Sequence, residues 1–334
     1  MGDASRQPNL RFCRQYSANR EAMALFSLIA VLLLEQIRPL PYRRIVFEPL
    51  AMLAQLMKRL FNAGEYKHGL IAWLFAVGSL VLISAGVYYA LYAFSPLLAW
   101  LWNVLMLYLT MGFRQFSHYY TDIQFALRMD DLPHARKLLA EWCGHPTDGL
   151  SPAEVARLAI EDVLKASHRH VFGVVVCFVL LPGPCGAVLY RVAGFLDQVW
   201  GRPADEDAGC FGKFSQQAFA VIDWLPARIT AAGFAVVGNF ENAVACWRSQ
   251  AATWSAKAYE RGLGCVLASG AGALGVRLGG HRAAGDECVE YGEVGMGEEP
   301  GVDAMQSAVG LVWRALLLSL LLLLLLSCAI LVGA

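Results

Sequence analysis

The chain has 334 residues, zero formal net charge, 57% hydrophobic residues and 16% charged ones. Soluble domains carry about 25% charged residues, so the composition points away from a freely soluble protein, and no basic excess marks a nucleic-acid footprint. Nine cysteines occur without a CxxC pair, which argues against a disulfide framework or a zinc ribbon.

The first 22 residues are polar and contain Arg6, Arg11, Arg14 and Arg20. An apolar run, residues 23–34, follows and stops at Glu35. It lacks a small-residue cleavage site, so it does not read as a cleaved signal peptide. Residues 35–68 are basic and amphipathic, with Arg38, Arg43, Arg44, Lys58, Arg59 and Lys67. Residues 69–94 and 97–113 are apolar on either side of Ser95-Pro96, which predicts a hairpin of two membrane helices. Residues 114–170 are again basic and read as helical, LPHARKLLAEW carrying Ala and Leu at helical spacing.

Residues 171–190 are apolar but hold Pro182-Gly183-Pro184. Proline removes a helix hydrogen bond and clashes with the preceding turn. Two readings fit: one kinked span, or a re-entrant pair returning to the same face. Residues 191–310 are mixed, rich in Gly and Ala, and end in an acidic stretch including Glu290, Glu293, Glu298 and Glu299. Within them Ile229 to Val237 is apolar enough to touch a membrane. From Leu311 the chain reads LVWRALLLSLLLLLLLSCAILV, with Arg314 its one charge. About 20 apolar residues cross a bilayer core, and only a helix satisfies its own backbone there.

The fold class expected is therefore an all-α integral membrane protein, with about four spanning or re-entrant helical segments and helical cytoplasmic regions. The apolar segments are 23–34, 69–94, 97–113, 171–190 and 311–333. Positive charge is retained on the cytoplasmic side, which places 35–68 and 114–170 there in a multi-pass protein of a bacterial inner membrane. Four arginines before residue 23 conflict with that orientation if the first segment crosses. We expect translation to start at Met23, with residues 1–22 an extension.

Several motifs have competing readings. Gly270-Ala-Gly272-Ala-Leu-Gly275 fits GxGxxG, but no strand–turn–helix pattern surrounds it, and close helix packing by small residues is the better reading. His168 and His170 stand two apart, so on a helix they face different ways and read as solvated or interfacial rather than as metal ligands. Asp130-Asp131 precede Pro133 and a helical pattern, the position of an N-terminal cap. Asp197 follows an apolar run near a membrane boundary, where an ionisable group is a functional candidate.

Taken in order, these segments resemble the CobD/CbiB family and its AmpE branch, over nearly everything from Met23 onward. MALFSLIAVLLLEQ, HYYTDIQFALRMDDLPHARKLLAE and VIDWLPARITAAGFAVVGNFENAVACW are similar to AmpE. ASGAGALGVRLGG through GVDAMQSAVGLVW looks more like the cobalamin synthase. The resemblance implies amide linkage of an aminopropanol, or its phosphate, to adenosylcobyric acid. ATP and magnesium are the helpers it implies if that activity is retained. The alternative it implies is a non-enzymatic AmpE-like regulator of cell-wall or β-lactamase signalling. Membrane lipid, a corrinoid substrate or a regulatory membrane protein are the partners that follow.

The resemblance also implies site residues. In ARLAIEDVLKASHRH, Glu161 matches the family's first acid, while Lys165 and Ala166 replace a Glu-Asn pair and Arg169 stands at an aspartate position. In LYRVAGFLDQVWG, Tyr190, Arg191, Leu196, Asp197 and Gly201 match, while Gly194 and Phe195 replace Asn-Thr. In FAVIDWLPARI, Pro226, Ala227 and Arg228 match, Phe219 and Ala220 replace paired aspartates, and Asp223 replaces an asparagine. The substrate-binding residues expected are thus Glu161, Tyr190, Arg191, Asp197 and Arg228, with Arg191, Asp197 and Arg228 in one polar site and no metal ligands assigned. Acids that could hold magnesium are lost, so the resemblance implies the scaffold more firmly than the reaction.

Overall fold

In the computed structural model, residues 23–37, 42–61, 65–144, 147–201, 210–254, 262–284 and 287–332 are described. The polar leader, residues 1–22, lies outside them. Helix α1 (Met23–Ile37) is followed by a short π-helical turn, Arg43–Phe47, that runs into α2 (Glu48–Phe61). Helices α3 (Tyr66–Phe94) and α4 (Pro96–Thr110) form the expected hairpin. Ser95 is extended and caps α4 by accepting from Leu97 N, and the Trp102 indole donates to Ser84 O across the pair at 3.2 Å.

Helices α5 (Phe113–Arg128) and α6 (Leu132–Cys143) come next. Asp131 caps α6, its side chain accepting from His134 N at 3.2 Å. Helix α7 (Pro152–Ser167) starts with a capping box, Ser151 and Glu154 each holding the other's backbone N–H. It continues through a π-helical turn, His168–Phe172, into α8 (Gly173–Leu180). The stretch Pro152–Leu180 is one helix long and apolar enough to cross a membrane. The helix that carries the apolar run from residue 171 therefore begins 19 residues before it, inside the stretch read as a basic cytoplasmic region.

The break at Pro182-Gly183-Pro184 is a reversal. Helix α9 (Cys185–Trp200) folds back along α8, so Gly186 lies on the Cys177 carbonyl and Gly173 on the Tyr190 ring. Of the two sequence readings, the returning pair holds and the kinked span does not. Helix α10 (Phe211–Val237) is a fourth element of spanning length, with Tyr66–Phe94, Pro152–Leu180 and Val302–Ile330. It had been expected to touch the membrane through its last turns alone.

Helices α11 (Phe240–Trp254) and α12 (Leu263–Leu274) pair closely. The GxGxxG residues sit on α12 and at its cap. A Cβ on Gly272 would stand 2.5 Å from Asn242 O, and Gly275 ends the helix at φ +70°. This is small-residue helix packing, with no dinucleotide turn. Strands β1 (Arg277–Ala284) and β2 (Glu287–Gly295) form an antiparallel hairpin with an irregularity at Gly279. Helix α13 (Val302–Val332) closes the bundle. Tyr120 donates to Met305 O and Gln124 to Gln306 Oε1, which ties α5 to α13. Arg314 donates to Val237 O, one of the last carbonyls of α10.

The tight α8–α9 contact gives a first prediction. An ideal Cβ on Gly186 would stand 1.8 Å from Cys177 O, whereas Gly78 on α3 has open space. Gly186→Val should cost about 2 kcal/mol or more, the scale of overpacking, while Gly78→Ala should be neutral or slightly stabilising. Thermal unfolding in detergent checks the pair; equal midpoints would show that the reversal is not tightly packed.

Candidate functional site

Three helices meet in a buried polar cluster. His168, fully buried on the π-helical turn, places Nε2 2.9 Å from Asp223 Oδ1 on α10 and Nδ1 2.9 Å from Thr230 Oγ1. Tyr190 on α9 donates to the same Asp223 oxygen at 2.8 Å. The Thr230 hydroxyl donates to Pro226 O at 2.9 Å, so its oxygen accepts from Nδ1–H. Nε2 and Asp223 then share the remaining proton, as imidazolium with carboxylate or as imidazole with carboxylic acid. His168 is thus a buried network residue, which corrects its reading as a solvated histidine. Proline at 226 leaves the helix one N–H short, and the Thr230 hydroxyl adds a bond to the Pro226 carbonyl.

One turn away lies a cavity of about 730 Å³, within the range of roughly 300–1,000 Å³ of ligand pockets. Its walls come from the segment before α2 (Tyr42, Arg44, Phe47), from Tyr119, Glu141 and Trp142 of α5 and α6, and from Arg169 and His170. Helices α9 and α10 contribute Tyr190, Arg191, Gly194, Phe195, Gln198 and Phe219. The π-helical turn explains the sharing of roles: His168 faces α10, while Arg169 and His170 face the cavity. Arg191 Nε donates to the Tyr42 hydroxyl at 2.7 Å, with its guanidinium 4.8 Å from that ring centre.

Four positions at which the sequence departs from the family pattern, Arg169, Gly194, Phe195 and Phe219, line this one cavity. They fit one another. A Cβ on Gly194 would stand 3.0 Å from the Phe219 ring, so the glycine makes room for the phenyl. Phe195 packs edge-on against Phe47 at 5.3 Å, and Phe219 lies 5.5 Å from Tyr190.

Of the five residues singled out in the sequence, the structure brings Tyr190 and Arg191 to the cavity. Glu161 is buried on α7, where its Oε1 accepts from Gly279 N at 2.7 Å and lies 3.7 Å from Arg157. It ties the hairpin bulge to α7. Asp197 is buried near the end of α9, its Oδ1 3.1 Å from where a Gly201 Cβ would stand. Arg228 is exposed on α10, stacked 4.0 Å over Trp224 and donating to Trp224 O. Neither Asp197 nor Arg228 lines the cavity with Arg191. Lys165, the other charge reversal, is 3.8 Å from Asp162 and 5.1 Å over Trp254. Sequence reasoning missed Arg44, Tyr42 and Glu141 as cavity residues, because no motif links segments so far apart in the chain.

The resemblance implies magnesium, a cation held by oxygen ligands. The described lining offers one carboxylate, Glu141, beside Arg44, Arg169 and Arg191. Among the described residues, no group of three His, Cys, Asp or Glu side chains could hold a metal ion. The residues do not fit a magnesium ion held by the protein.

Comparison with known proteins agrees with the order of the segments. The family model described as CobD/Cbib protein matches residues 28–312. The chain is 34% identical over 297 residues to the cobalamin biosynthesis protein CobD of Stutzerimonas stutzeri, covering 87% of this chain and 94% of the relative. It is 36% identical over 245 residues to CobD of Chromobacterium violaceum, covering 72% and 74%. It is 27% identical over 273 residues to CbiB of Salmonella typhimurium, covering 78% and 82%. No solved structure matches. The fold is that of an all-α membrane protein, and the chain belongs to the CobD/CbiB family. All three relatives bear cobalamin-biosynthesis names, which leaves the AmpE-like alternative without support.

The buried cluster yields the second prediction. A buried hydrogen-bonding group left unsatisfied costs about 1–3 kcal/mol, and Asp223→Ala strands both His168 Nε2 and the Tyr190 hydroxyl, so it should lower unfolding stability by at least that amount. Thr230→Val, which removes a neutral partner, should cost about 1 kcal/mol. Unfolding by SDS in mixed micelles measures both; an Asp223→Ala cost near zero would refute the network.

Proposed function

We propose that this chain acts in cobalamin biosynthesis as a multi-pass protein of the bacterial inner membrane, and that the cavity beside Tyr190 and Arg191 is its substrate site. The observation that carries this reading is convergence. The matched pair Tyr190-Arg191 and four altered motif positions come from three segments, α9, α10 and the π-helical turn, yet share one cavity of ligand size. The reaction implied by the family joins adenosylcobyric acid to an aminopropanol or its phosphate. An amide forms as the amine nitrogen displaces an activating group from the carboxyl carbon. A corrinoid substrate is the partner that follows from it.

Tyr190 and Arg191 are the substrate contacts proposed here. Glu161 supports them through the hairpin it anchors, and Asp197 through the end of α9 on which they stand. Arg228 is proposed as a contact at the membrane face, outside the cavity.

Complementation tests the activity. Expression in a strain lacking the cobinamide synthase should restore cobalamin-dependent growth on cobyric acid, and Arg191→Ala should remove that growth at unchanged membrane abundance. No rescue by a wild-type chain present at normal abundance would sink the cobalamin reading.

The orientation is proposed from the basic stretches, residues 35–68 and 114–170, which belong on the cytoplasmic side. A reporter fused after Cys143 should show cytoplasmic activity alone. Periplasmic activity at that position would overturn the orientation.

A further inference from the structure

A groove on the outer side of the bundle stands apart from the cavity. It runs between α8, α10 and α13 and encloses about 220 Å³. Val175 and Val179 form one wall, Ile229 a second, and Leu322 and Leu326 the third. Ile229, Leu322 and Leu326 are exposed, so in a membrane the groove opens to lipid. Thr230 and Ser319 are the polar side chains of the described lining, and both hydroxyls already donate within their own helices, to Pro226 O and Ala315 O. The groove therefore suits an apolar occupant. Gly233 on α10 keeps it open, since a Cβ there would meet nothing within 4 Å. Glycine in a helix interior is unfavourable, and here no close neighbour demands it.

Length and charge point to one occupant. On α13 the lining runs from Ala315 to Leu326, a rise of about 16 Å at 1.5 Å per residue. That is about half the roughly 30 Å hydrocarbon core of a bilayer, the depth of one leaflet. At the Ala315 end stands Arg314, exposed and the one charge between Leu311 and Val332. Its Nη1 donates to Val237 O, one turn beyond Gly233, and its Nε to Gly310 O. These bonds hold the guanidinium at the end of the groove. Trp313 beside it is exposed as well, and tryptophan favours the level of the lipid headgroups. A helix is roughly 10–12 Å across with its side chains, too wide for about 220 Å³ spread along the groove; a single acyl chain is narrow enough. We infer that the groove holds one acyl chain of a phospholipid whose phosphate meets Arg314. Thr230 lines the groove and bonds His168, so this chain backs the network that fixes the cavity walls.

The test is native mass spectrometry of the full-length protein, released from nanodiscs of mixed phosphatidylglycerol and phosphatidylcholine. One retained phospholipid per chain is expected, with phosphatidylglycerol favoured. Arg314→Gln should reduce that retention about fivefold, the worth of one basic residue at an anionic surface. Gly233→Leu fills the groove from a position with open space around it. It should abolish retention and leave the unfolding midpoint in lipid-free detergent unchanged. Leu82→Ala, at an exposed position on α3, should change neither. Arg314 is exposed, so Arg314→Gln reports even where the filled groove does not fold. No retained phospholipid in the wild-type chain, or retention indifferent to both substitutions, overturns the inference. A dimer that Gly233→Leu disperses also overturns it, with a second copy as the occupant. Loss in Gly233→Leu alone supports the groove and overturns the contact at Arg314.

Discussion

The shared Asp223 oxygen, reached by both His168 and Tyr190, is the contact on which the rest of the site depends. Within a membrane-embedded bundle no water stands ready to replace a lost partner, so a polar cluster there permits one arrangement of its helices. Each member carries a cavity residue with it. Arg169 and His170 follow His168 directly, Arg191 follows Tyr190, and Phe219 stands one turn before Asp223 on α10. Three helices fixed by one carboxylate thereby fix three walls of the cavity. The π-helical turn at His168–Phe172 supplies the local rotation that lets consecutive residues serve the network and the cavity separately.

How much of this was legible in the sequence follows from what faces lipid. The hairpin α3–α4 and the C-terminal helix are apolar on every side, and their windows are 28% and 22% buried for Tyr66–Phe94 and Val302–Ile330. Length and composition found them. Pro152–Leu180 is 61% buried, and its charged residues Arg157, Glu161, Asp162 and Lys165 find partners inside the protein. Those charges made its first half look solvated, because periodicity and charge cannot tell a solvated ion from a paired one. Helix α10 was underread for the same reason, with Asp223 hydrogen-bonded to a histidine 55 residues away.

The candidate site was legible where a short motif held it. Tyr190 and Arg191 are adjacent, and the reversal at Arg169 stood out against the family pattern. The partnership of His168 with Asp223 and Thr230 left no spacing signal, since it exists only through the packing of α7 on α10. The grouping of Arg191, Asp197 and Arg228 was a guess at packing and came apart accordingly. On α9 and α10 the helical turn sends Asp197 into the core and Arg228 to the surface over Trp224. Glu161 illustrates the opposite limit. It is a matched acid that holds the free N–H of Gly279, whose φ of +96° at the strand bulge takes it out of the ladder.

The two polar regions of the bundle obey different rules, and the difference separates scaffold from site. In the His168 cluster, one histidine, one aspartate, a tyrosine and a threonine satisfy one another, and removing any member leaves another unpaired. In the cavity next to it, Arg169 Nε and His170 Nδ1 lie buried and unmatched among the described residues. Folding alone favours the first condition and disfavours the second. A fold that could place a satisfied network so close had the means to satisfy the cavity too, by keeping an acid at 219 in place of Phe219. The aromatic ring there packs against Gly194 and leaves Glu141 as the one carboxylate of the described lining beside three arginines. A polar group entering the cavity would meet those unmatched atoms, which is the physical condition for a binding site.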